Sequence, residues 1–185
     1  MEQKENGNKM VEESREPTEL LKQEHQATFL KLELMERSLG YLRSPHKETA
    51  LERTEMEKTL LKDLANALEK ELGSHFRKEE EALFPVLAGY IGREHGPIDV
   101  MIHEHERILS VFSHWKKVLP PFCRSMEPVD EGIRKAVIDP GLKLIGLLRQ
   151  HIGKEDQVLF KISEASLSDQ EKKDLMEKLT AMEEG

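Results

Sequence analysis

The chain holds one cysteine, Cys123, among 185 residues, which excludes an internal disulfide and any zinc or iron–sulfur site built on several thiolates. Aromatic residues are scarce as well, at 5%, and Leu, Glu, Lys and Met dominate, so local preference favours helix over strand almost throughout. No apolar run approaches the roughly 18 residues of a membrane span. The opening stretch, MEQKENGNKMVEES, lacks the apolar core of a secretory signal, and the expected location is therefore the cytoplasm. Basic residues are not in excess: 28 Lys and Arg against 36 Asp and Glu give a net charge of −8. That leaves little surface for displacing counterions from a phosphate backbone, so nucleic acid is not an expected partner.

What is present points to an all-α protein. Residues 1–13 are polar and unpatterned and read as a disordered tail. A first helix is expected from Ser14 or Pro17 to Arg43, with Leu21, Phe29, Leu32, Leu39 and Leu42 as its apolar stripe. A second runs from about Lys47 to Pro85 or Tyr90, carrying Leu61, Leu64, Leu68 and Leu72, with Gly73 and Pro85 as points that bend or end it. The third opens at Gly96–Pro97, shows Ile98, Met101, Ile102, Ile108, Leu109 and Phe112 on one side, and stops before Pro120–Pro121. A proline-bearing connection from Leu119 to Asp130 leads to a fourth helix, Glu131 to Ile162, with Val137, Leu144, Leu148, Val158 and Ile162 inward. Residues 14–165 thus predict an antiparallel four-helix bundle. The capping-box spacing at Ser168-Asp-Gln-Glu171 adds a short helix within 166–185.

Two ten-residue stretches align without a gap: HFRKEEEALF from His75 and HIGKEDQVLF from His151, both H-x-x-K-E-[ED]-x-x-L-F. Upstream of each, at similar separations, stand Glu24-His25 and Glu104-His105. The chain reads as two copies of a helix pair, each contributing one His from its first helix and a His-x-x-x-Glu from its second. Residues four apart share a helical face, so His75 points with Glu79 and His151 with Glu155. All four continue the leucine stripes of their helices, while His25 and His105 lie on the stripes of theirs. Six polar side chains therefore face the bundle axis. Buried carboxylates cost several kcal/mol each, in order of magnitude, unless paired or bound to a cation. Four imidazoles and two acids without thiolate suit iron, manganese or zinc. Six donors exceed one tetrahedral zinc, and two ions sharing the carboxylates use them best.

These residues, with Gly96-Pro97-Ile98 ahead of His105, resemble the hemerythrin-like, or HHE cation-binding, family over residues 15–165. The resemblance implies a non-haem di-iron centre inside the bundle. Glu79 and Glu155 would bridge the irons beside an oxo or hydroxo group, and His25, His75, His105 and His151 would be terminal ligands. The oxygen-carrying branch adds a fifth histidine through His-x-x-x-His on the third helix. Here Met101 and Leu109 occupy the positions four away from His105, so the chain is more similar to the microbial and regulatory branch with four His and two Glu.

Other candidates are expected outside the site. His103 should face away, His114 is out of phase, and His46 and His95 fall in turns. Glu24, Glu104, Glu80 and Asp156 are expected mainly as solvated helix residues, with orientation of an imidazole as the alternative. Tyr41, Tyr90 and Trp115 are expected in packing roles. Cys123, beside Pro120, Pro121 and Phe122, is a candidate redox-sensitive thiol. Function is then expected to be the binding or sensing of oxygen, nitric oxide or hydrogen peroxide. Alternatives are a di-iron enzyme acting on peroxide or nitric oxide, an iron donor for iron–sulfur repair, and a bundle that metal merely stabilises. Turnover would require an electron donor that the sequence does not identify.

Overall fold

The computed structural model describes residues 16–43, 50–126 and 128–184. The expected tail over 1–13, the earlier helix start at Ser14, and Lys47 and His46 lie outside them. Among the described residues there is no strand, and five helical rods carry the fold. The first is α1, Pro17–Arg43. The second is α2, Ala50–Lys78, which passes through a π-helical turn at Glu79–Leu83 into α3, Phe84–Ile91. The third is α4, Pro97–Arg124. The fourth is α5, Glu131–Lys154, which passes through a second π turn at Glu155–Leu159 into α6, Phe160–Ser166. The last is α7, Asp169–Glu184.

Local chemistry sets the ends. Pro17 and Pro97 stand in first turns, where a missing N–H costs nothing. The Asp130 carboxylate accepts from the N–H groups of Gly132 (2.8 Å) and Ile133 (3.2 Å) and starts α5. Gly92, at φ 72° and ψ 159°, takes an extended positive-φ conformation open essentially to glycine and ends α3. The expected capping box opens α7: the Ser168 N–H donates to Glu171 at 2.9 Å and the Glu171 N–H donates back to Ser168 Oγ at 3.4 Å.

The rods α1, α2–α3, α4 and α5–α6 form a closed ring in which each packs on two neighbours. Successive rods run antiparallel. Lys58 near the start of α2 bonds the Ser125 carbonyl beyond the end of α4, and Thr18 at the start of α1 donates to Glu164 at the end of the fourth rod. Gly141 lets α5 approach closely, since a β-carbon there would lie 2.7 Å from Leu39 Cδ1 and 3.0 Å from Trp115 Nε1. The apolar interior comes in two parts. One gathers Leu32, Leu72, Phe76, Ile108 and Leu148 with residues toward the other end of the bundle; the second gathers Leu21, Leu83, Phe84, Met101, Leu159 and Phe160 with Leu175 and Leu179 of α7. Between them lies a single polar layer.

Four expectations are corrected. Helix α4 does not stop before Pro120–Pro121 but continues to Arg124, so the connection shrinks to residues 125–130. Buried Phe122 anchors that last turn. Val158, expected inward, is 46% exposed, because the π turn inserts an extra residue and brings Leu159 and Phe160 inward instead. Leu109 likewise is exposed, Phe29 is half-buried, and Thr28 and Met35 fill the inner face of α1.

Candidate metal centre

The polar layer is made of His25 from α1, His75 and Glu79 from the second rod, His105 from α4, and His151 and Glu155 from the fourth. All six side chains are buried, and both carboxylates are fully so. Each Glu is the first residue of a π turn, its carbonyl accepting from the N–H five residues on, Phe84 for Glu79 and Phe160 for Glu155. The His-x-x-x-Glu spacing thus stays α-helical, while the widened turn follows the acid and lets two bulky residues close the layer behind it.

The six side chains form two groups of four donors that share both acids. His25, His75, Glu79 and Glu155 make one; Glu79, His105, His151 and Glu155 make the other, with ligand atoms within 4.8 Å of one another in each. Glu79 lies with Oε1 3.5 Å from His75 Nε2 and Oε2 3.2 Å from His105 Nε2. Glu155 lies with Oε2 3.3 Å from His25 Nε2 and Oε1 3.1 Å from His151 Nε2. Each carboxylate therefore offers one oxygen to each half. Both oxygens of both acids, and the Nε2 atoms of His105 and His151, are buried without a hydrogen-bond partner. Orphaned acceptors at this density are costly unless a cation takes them, and the donor set of four imidazoles and two carboxylates fits a pair of transition-metal ions.

Every imidazole turns Nε2 inward and gives its Nδ1 side to an outer carboxylate. His25 faces Asp156 at 2.8 Å, His75 faces Glu24 at 2.7 Å, His105 faces Glu80 at 2.6 Å and His151 faces Glu104 at 3.3 Å. The expectation that these four acids are mainly solvated is corrected: each fixes the tautomer and orientation of an inner imidazole. Each lies beside a site residue in sequence but, one residue round the helix, reaches a different rod. Behind two of them stand the lysines of the repeated motif. Lys78 bonds Glu24, and Lys154 bonds Glu104. Neither lysine was singled out from sequence, although their identical place in both copies of H-x-x-K-E was the available signal. Lys78 is buried and also reaches Glu183 of α7 at 2.9 Å, whereas Lys154 is exposed.

The electrostatics follow. Burial pushes the Glu79 carboxyl well above its ordinary range, and the neighbouring Glu155 charge adds to that. Burial acts on Glu155 in the same sense but is outweighed by His105, His151 and His25, which hold it well below. Burial opposes charge on His25 too, yet Asp156 and Glu155 raise it to about 9. Desolvation lowers His75, consistent with a neutral ring whose Nε2 accepts from His25 at 3.0 Å. Phenyl rings cover the layer: Phe160 stacks on His25 with centroids 5.3 Å apart, and Phe76 on His105 at 3.9 Å.

Among the described residues, the other histidines set aside lie elsewhere, as do Trp115, Tyr90 and Cys123. His103, His114 and His95 are exposed. Trp115 is buried in the core, donating to the Val137 carbonyl at 3.1 Å, and Tyr90 bonds Glu171 at the surface. Cys123 is half-buried with its thiol pKa raised by burial, the opposite of an activated thiolate. Among the described residues, no helix is long and apolar enough to cross a membrane.

Comparison with known proteins bears on the same layer. The family model for the hemerythrin HHE cation binding domain matches residues 16–163. The iron-sulfur cluster repair protein YtfE of Salmonella typhimurium is 38% identical over 101 residues, covering 51% of this chain and 42% of that protein. The proteins of the same name from Salmonella paratyphi B and Salmonella newport are 37% identical over the same shares. The match thus spans less than half the length of these relatives. No solved structure matches.

Proposed function

Because the chain belongs to the hemerythrin HHE cation-binding family, we propose that it is a non-haem di-iron protein that binds or senses a small ligand: oxygen, nitric oxide or hydrogen peroxide. His25 and His75 would hold one iron and His105 and His151 the other, with Glu79 and Glu155 shared between the two pairs. The observation that carries this reading is the placement of one oxygen of each acid toward each imidazole pair. Manganese or zinc suits the same donors chemically. When bound, the metal pair supplies sites for a diatomic or peroxide ligand and the electrons to reduce it. The protein's own part is positional. Asp156, Glu24, Glu80 and Glu104 lock the four rings, Lys78 and Lys154 hold two of those acids, and Phe76, Phe84 and Phe160 keep bulk water from the layer.

The relatives' names favour a second reading, in which the bound iron is donated during iron–sulfur cluster repair. An enzyme turning over peroxide or nitric oxide would need an external electron donor, and a cytoplasmic setting would supply either role with reductant. The deciding experiment is anaerobic loading with ferrous iron, metal analysis, and optical spectra before and after each ligand. Two irons per chain and a ligand-dependent spectrum are expected. Fewer than two, or a spectrum indifferent to all three ligands, overturns the proposal. Iron transfer to an apo iron–sulfur acceptor, or repeated turnover with a reductant that His151→Ala abolishes, would select the donor or the enzyme.

A further inference from the structure

The two halves of the layer are alike in donors but not in their walls. A cavity of about 370 Å³ opens on the surface between α1 and α2 and ends on His75. Polar side chains border it, namely Glu24, Thr28, Lys70, Glu71 and Ser74, while much of the surface between them is aliphatic stem, with Ala27 at the rim. The His75 side chain is 9% exposed, against 1% for His151 in the other half.

Aligning the halves on His25 with His105, and on His75 with His151, explains the difference. Thr28 then corresponds to Ile108, Lys31 to Val111 and Glu71 to Leu147. In the first half, Lys31 and Glu71 meet across the helix pair at 3.0 Å. In the second, Ile108 is buried in the core, and Val111 and Leu147 pack against it. At the rim, Ala27 corresponds to the longer Arg107, and Ser74 to Gln150. The same spot is thus a solvent-reaching cleft bordered by polar side chains in one copy and an apolar seal in the other. A hydrated cation can follow polar side chains but not a packed aliphatic seam, where each oxygen of its water shell would be stripped without replacement.

We infer that the α1–α2 groove ending on His75 is the route by which a hydrated divalent metal ion enters and leaves the centre, so the ion held by His25 and His75 exchanges first. The inference rests on the two-metal reading above. The ion on the His105–His151 side lies behind the packed aliphatic seam and exchanges second.

The test uses the full chain loaded with two ferrous ions and challenged with excess ferrous chelator, following chromophore formation. Two phases of one iron each are expected. The variant T28I/K31V/E71L, which imports the second copy's seal, should slow the fast phase by about tenfold, the order set by a modest local opening. A27R/S74Q narrows the rim without touching the core, since Ala27 is exposed and Ser74 half-buried, and should act in the same sense even if the triple variant misfolds. A single release rate for both ions, or a fast phase that neither folded variant slows, overturns the route. Fewer than two irons before chelation overturns the two-metal reading instead, and the route with it.

Discussion

Replacing Glu79 by leucine should change stability in opposite directions with and without metal. In the metal-free protein this carboxyl is fully buried, its two oxygens lack partners, and burial keeps it protonated. An unsatisfied buried polar group costs about 1–3 kcal/mol, and a leucine of comparable volume between Leu72 and Leu83 removes that cost. For a chain of this length, about 2–4 °C of melting temperature accompanies each kcal/mol, so metal-free Glu79→Leu should melt several degrees above the parent. With iron the order should invert. An ion present at about a thousand times its dissociation constant stabilises by about 4 kcal/mol, and a variant lacking one shared acid forfeits most of that. The assay is a pair of anaerobic thermal melts, parent and variant, with chelator and with ferrous iron, followed by circular dichroism at 222 nm as a standard helix signal. If Glu79→Leu destabilises the metal-free protein by more than about 1 kcal/mol, the acid belongs to the scaffold in its own right, and the reasoning from orphaned oxygens fails.

Metal occupancy after purification should fall sharply in Glu155→Ala and stay at the parent level in His103→Ala, whose ring is exposed; equal losses by metal analysis would refute the inward assignment. Metal affinity should rise with pH, because the metal-free layer holds a proton on Glu79 and, up to about pH 9, on His25, and both must leave when a cation binds. Calorimetry in buffers of different ionisation enthalpy should register that release, and its absence would count against the proton inventory. By the same linkage, His25 stabilises the metal-free fold fully below its unfolded value of about 6.5 and loses that contribution as pH rises through about 9, so metal-free melts should weaken over that interval. Glu104→Gln should loosen His151 and lower metal affinity by about 10–100-fold without altering helicity, an outcome checked by titration against a competing chelator. Leu179→Ala, in the fully buried face of α7, should cost about 2–5 kcal/mol in a denaturant melt.

The helices and the six converging side chains were legible because stripe spacing and duplication say the same thing twice. His75, Glu79, His151 and Glu155 continue leucine stripes, and chance does not repeat that in two copies. Helix extent was less legible. Pro120 and Pro121 read as a stop, yet they remove hydrogen bonds only near a C-terminal end, where water can replace them, and buried Phe122 more than offsets that. Val158 was misplaced because periodicity assumes one uniform pitch. The π turn changes the pitch in both copies at once, so comparing the copies could not reveal it. The four outer acids were hidden for a different reason. Glu24 orients the ring of His75, not that of its neighbour His25, and a pairing between rods leaves no mark in the spacing along one of them.

Asp156 and Glu80 reach from one copy of the helix pair to the other: each steadies a ring belonging to the opposite half. The tandem arrangement is therefore interlocked, like clasped hands, and neither half owns a finished set of instructions for assembly. Severing the backbone in the short link between Gly92 and Gly96 would yield two fragments whose reunion could be read out by the return of metal binding, a built-in reporter of complementation.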